Sequence, residues 1–92
     1  MNAHDPIEVG KRLRLLREGL KIKQAALCRL TGITGQVWNN AETGDNLLTV
    51  ANAIKLCRVT GVTLDWIYRG QVTALPSIVL TAITKPRQRG TS

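Results

Sequence analysis

The sequence predicts an all-α fold of five short helices with a short C-terminal extension. Two observations carry this. Five apolar-periodic stretches each end at a glycine, at Gly19, Gly32, Gly44, Gly61 and Gly70, where a residue free to adopt a left-handed turn closes a helix. The apolar inventory is also aliphatic: 43% of the chain is hydrophobic, with two Trp, one Tyr and no Phe. A core built from Leu, Ile, Val and Ala suits packed short helices better than an aromatic-rich β-sandwich. At 92 residues the chain fits one domain with one modest core.

The elements follow in order. Asp5 can cap the first helix, Pro6 fits its first position and Glu8 can bond back to the cap. Ile7, Leu13, Leu16 and Leu20 then keep near one face, with Gly10 as an internal blemish. A second helix is predicted over Gln24 to Thr31, with Leu27 and Leu30 pointing inward. Thr34 is the cap of a third helix that runs to Thr43. After the loop Asp45-Asn46-Leu47, Thr49 caps a fourth helix whose inner stripe is Val50, Ala53, Ile54 and Cys57, with Leu48 stapled against Ala53. Thr63 caps a fifth, Leu64 to Arg69. These elements place one domain over 5–70 and an extension over 71–84. In the extension, Ile78, Val79, Thr81, Ile83 and Thr84 favour a strand by propensity, whereas Ser77 after Pro76 suits the start of a short helix. Both readings stand. A basic, disordered tail is expected over 85–92, and no internal repeat stands out.

The formal net charge is +7. Lys11, Arg12, Arg14, Arg17, Lys21, Lys23 and Arg29 crowd one early stretch, opposed there only by Glu18. Such a block points to a polyanionic partner, and a solvated helix face is the competing reading. Membrane-surface binding is weaker, because the bulky apolar residues it would need are required for the core. No segment approaches the roughly 18 consecutive apolar residues of a membrane span, and the N-terminus lacks a charged-then-apolar signal pattern. A cytoplasmic protein is therefore expected. Cys28 and Cys57 lack metal-type spacing and read as reduced thiols, and His4 is the one histidine. No metal, no cofactor, no small-molecule ligand and no enzymatic activity is expected.

The informative feature is a pair of short helices joined by Gly32-Ile33. Cys28 supplies a small residue where the helices cross, Gly32 a left-handed turn and Ile33 an apolar plug. Trp38 and Ala41 form the buried face of the next helix. Gly35, Gln36, Asn39, Asn40 and Thr43 fall on the other side.

Over about Gly10 to Gly70 the chain resembles the lambda-repressor/Cro-like, or XRE-type, helix-turn-helix regulators of bacteria and phages. Arg17, Gln24, Leu27-Cys28, Gly32-Ile33-Thr34, Glu42-Thr43-Gly44 and Leu64-Asp65-Trp66-Ile67 carry the resemblance. It implies a five-helix DNA-binding domain whose helix-turn-helix spans about 24–43. Gln36, Asn39 and Asn40 would read base edges, since an amide can pair bidentately with adenine. Gln24, Lys23, Lys21, Arg17, Thr34, Gly35 and Thr43 would face the DNA backbone, as would Arg29. Arg17 and Glu42 would form an ion pair tying helix 1 to the end of helix 3, with Arg17 sharing a donor with DNA. Lys23 stands where a Ser or Thr cap is usual, and Gly35 where a base-reading side chain is. The resemblance further implies a repressor bound as a homodimer to a partly palindromic operator, with Ile67, Tyr68, Ile78, Val79 and Leu80 as the candidate dimer surface. A protein-interaction module on the same fold, such as an antitoxin or antiactivator, is the alternative.

Overall fold

Asp5 opens the first helix: its carboxylate accepts from the Ile7 amide at 2.9 Å, and Pro6 takes the first helical position. The computed structural model describes Asn2 and residues 4–84, so the tail expected over 85–92 lies outside the described residues. Six helices follow in order: α1 Pro6–Gly19, α2 Gln24–Thr31, α3 Gly35–Thr43, α4 Val50–Thr60, α5 Leu64–Arg69 and α6 Ser77–Thr84. No strand occurs among the described residues. The all-α expectation holds, and the count rises from five helices to six.

The sixth helix settles the choice left open for the extension. Val79 is fully buried in the same core as Leu13, Leu16, Trp38, Leu56 and Ile67. Burying that side chain outweighs the strand propensity of the β-branched run. The extension therefore packs on the same core as the other helices. It crosses α1 closely, since a Cβ on Gly19 would overlap the Ala82 carbonyl.

Gly10 has a similar reason. A Cβ built there would lie 2.5 Å from the Ala41 carbonyl oxygen and 2.6 Å from that of Glu42. Its small size lets α1 seat against the C-terminal turn of α3, so the apparent blemish is the crossing point. The other departures concern which faces are wet. Leu30 is 61% exposed, and Ile7, Val50 and Ile54 are also exposed, while Leu56 and Val9, outside the expected stripes, join Ala53, Leu13 and Leu16 in the core. Leu48 is buried as expected.

The connectors of α2–α3 and α4–α5 are two copies of one device. Residues 27–34 read Leu-Cys-Arg-Leu-Thr-Gly-Ile-Thr and residues 56–63 read Leu-Cys-Arg-Val-Thr-Gly-Val-Thr. Each first threonine, Thr31 or Thr60, donates to the carbonyl four residues back and accepts from the amide two residues on. Each glycine is left-handed. Ile33 and Val62 are buried, and Thr34 and Thr63 cap the following helix. The expectation of no internal repeat is thus corrected. Two further tethers close the fold: the Arg12 guanidinium donates to the Ile67 carbonyl at 2.9 Å, and the Tyr68 hydroxyl to that of Leu48.

Candidate nucleic-acid interface

The turn between α2 and α3 is built as its sequence demands. Gly32 takes φ +82°, a region costly for residues with a Cβ, and its amide donates to the Cys28 carbonyl. Thr34 then caps α3 by accepting from the Val37 amide at 3.3 Å. Lys23, by contrast, stands at the start of α2 with no side-chain cap bond. Its ammonium is exposed, as are those of Lys21 and the guanidinium of Arg29.

On α3, Trp38, Ala41 and Glu42 are buried. Gln36, Asn39 and Thr43 are exposed, and Asn40 is half-buried on the same side. Three amides and a threonine therefore share one outward face, as the sequence pattern predicts. Gly35 opens that helix in free space: a Cβ there would meet nothing within 4 Å. The hydroxyl of Thr43 donates to the Asn40 carbonyl, and the exposed hydroxyl of Thr34 is held at its cap.

Glu42 is the hub that holds this helix. Its side chain is fully buried. One oxygen accepts from Arg17 Nε at 2.6 Å and from the Trp38 indole. The other accepts from Arg17 Nη2 at 3.2 Å, Gln24 Nε2 at 3.1 Å and Arg14 Nε at 3.4 Å. Burial alone would raise the carboxyl pKa. The hydrogen bonds from Arg17, Trp38 and Gln24, with the charge of Arg17, outweigh it and hold the carboxyl below its ordinary value. Arg17 is stabilised reciprocally, its pKa raised chiefly by the bond to Glu42.

The expected Arg17–Glu42 pair is present and bidentate. Gln24 braces α3 through Glu42, a part the resemblance also allows it, whereas the contributions of Trp38 and Arg14 lie outside the sequence expectations. The sequence held one signal for Trp38, since an i, i+4 spacing to Glu42 puts the two on one helix face. Arg17 itself is only 14% exposed, and all three of its nitrogens donate, the third to the Ile22 carbonyl at 3.1 Å. These bonds tie α1 to α3 and to the α1–α2 connector. Gln24 likewise braces α3 through one amide proton and keeps a second for another acceptor.

The candidate dimer residues divide. Ile67 and Val79 are fully buried in the core and present no surface, because α5 and α6 both pack inward at those positions. Ile78 and Leu80 are exposed, and Tyr68 is half-buried. Cys28 and Cys57 are half-buried with thiol pKa values raised by burial, which disfavours the reactive thiolate. Among the described residues no group of three His, Cys, Asp or Glu side chains stands together to hold a metal, and no helix is long and apolar enough to cross a membrane.

A short helix, a left-handed glycine turn and a second helix with an outward amide face define a helix-turn-helix protein of the DNA-binding class. A family model described as a helix-turn-helix domain matches residues 8–79, and the chain belongs to that family. The match is consistent with the resemblance to XRE-type regulators, and it reaches into α6. No curated protein and no solved structure gives a significant match.

Proposed function

We propose that this protein is a sequence-specific regulator of transcription that places α3 in the major groove of duplex DNA. The observation that carries the proposal is the outward face of α3: amides from Gln36, Asn39 and Asn40, with the helix's one carboxylate turned inward and neutralised. Amides can both donate to and accept from a base edge, and no negative charge is aimed at phosphates. Lys21 in the α1–α2 connector, Lys23 and Gln24 at the start of α2, and Thr34, Gly35 and Thr43 at the cap and on α3 would meet the sugar-phosphate backbone. Gly35 adds a close-approach position, since it exposes bare backbone where the helix would touch DNA.

A single unit of this size reaches few base pairs. The proposal therefore includes a cytoplasmic homodimer on a partly palindromic operator, acting as a repressor. Of the surface expected for that dimer, Ile78, Leu80 and the edge of Tyr68 remain available. Selection of bound duplexes from a random pool tests the reading. It should yield one motif with two inverted half-sites about 34 Å apart, one helical turn. Binding of the selected duplex no tighter than of scrambled DNA would defeat the sequence-specific claim. A motif without inverted symmetry would defeat the dimer.

A further inference from the structure

The two arginines that share Glu42 are held in opposite ways. Arg17 is nearly buried, makes its bonds at 2.6 and 3.2 Å, and commits every nitrogen to the protein. Arg14 is 54% exposed and touches Glu42 only through Nε, at 3.4 Å. Both of its terminal nitrogens are without a hydrogen-bond partner among the described residues, which leaves four N–H donors uncommitted there. Arg14 is thus the more loosely held of the two, with most of its guanidinium open to an acceptor from outside the protein.

Its position is also informative. On a helix of 3.6 residues per turn, Glu42 lies only about 60° around α3 from Asn39. The anchored guanidinium therefore stands at the rim of the amide face, beside Gln24, which donates to the same Glu42 oxygen. A phosphate following the groove edge past Asn39 would meet a planar fork whose geometry suits two phosphate oxygens.

We propose that Arg14, held by Glu42, is a DNA-backbone contact and that Arg17 serves to brace the site. This rests on the DNA-binding reading above and extends the contact surface onto α1. The family resemblance singles out Arg17 for the Glu42 pair and assigns Arg14 nothing; exposure and bonding give Arg14 its part.

The test compares Arg14→Gln, Arg14→Lys and Arg17→Gln in the full chain, by duplex binding over a salt series and by thermal melting. Arg14→Gln should weaken binding several-fold, equally for selected and scrambled duplex, and make the salt slope shallower by about 0.9, one phosphate's worth. Its melting midpoint should fall by only a few degrees, as for an exposed ion pair. Arg14→Lys should keep the wild-type slope. Arg17→Gln should lower the midpoint much further. Wild-type affinity and slope in Arg14→Gln would overturn the proposal. So would a midpoint loss matching Arg17→Gln, or an affinity loss confined to the selected duplex. A wild-type protein without salt-dependent duplex binding would instead remove the DNA-binding reading, and this assignment with it.

Discussion

Glu42→Gln removes a charge without changing size, and its cost can be worked from the bonds it breaks. The amide keeps one acceptor oxygen and turns the other into a donor. If the new NH2 takes the position facing Arg17 Nε and the Trp38 indole, two buried donors are stranded. If it takes the other position, it faces Arg17 Nη2, Gln24 and Arg14. Arg14 and Gln24 can then turn to water, but Arg17 cannot. A stranded buried donor costs about 1–3 kcal/mol, and removing one partner of a buried ion pair about 3–5 kcal/mol. We expect a loss of about 3 kcal/mol, against a total stability of about 5–14 kcal/mol for a domain of this size. The thermal midpoint should fall by about 12–24 °C. Urea unfolding followed by tryptophan fluorescence and by circular dichroism measures this directly, since Trp38 sits against the mutated group. A loss below about 1 kcal/mol would refute the view that Glu42 anchors α3.

Three further predictions follow from the same geometry. Because Glu42 is held below its ordinary pKa, its contribution is complete above the unfolded-chain value of about 4.3 and lost as pH falls through the folded value. Stability measured by urea melts should therefore be level from pH 7 to 5 and decline below about 4.3, less steeply in Glu42→Gln. Gly10→Ala places a methyl 2.5 Å from the Ala41 carbonyl oxygen and should cost about 1–3 kcal/mol in the same assay, against the gain that helix propensity alone would give. Lys23→Ser restores a cap that α2 lacks, so it should stabilise the fold by about 1 kcal/mol while weakening binding to all duplexes alike.

Much of the fold was legible because its signals are local. Thr34, Thr49 and Thr63 each bond an amide three residues on, and sequence spacing alone states that. The buried and exposed faces of α3 were legible for the same reason. The failures required tertiary knowledge. Gly10 and Gly19 look like weak helix residues until the elements crossing them are placed. The run over Ser77–Thr84 has strand propensity, and its helix rests on burial of Val79 in the core with α6 packed on α1. Val50, Ile54 and Leu30 satisfy an apolar spacing yet face water. The same rule misplaced Ile67 and Val79, which are apolar because they are core. The repeated octapeptide of the two connectors was open to inspection. It carries no recurring period, since the match is a single pair of eight-residue segments.

The site divides along the same line. The Arg17–Glu42 pair and a bracing part for Gln24 came from resemblance, and the partners Trp38 and Arg14 from three-dimensional packing. Exposure and bonding give Arg14 a part that neither the basic block nor the resemblance assigns to it.

The central claim is that the amide face of α3 reads bases. Random-pool selection repeated with Asn40→Ala tests it most directly. The account predicts a motif unchanged except at one or two base pairs per half-site, where preference is lost. An unaltered motif, or a uniform loss of affinity with every preference retained, would contradict it.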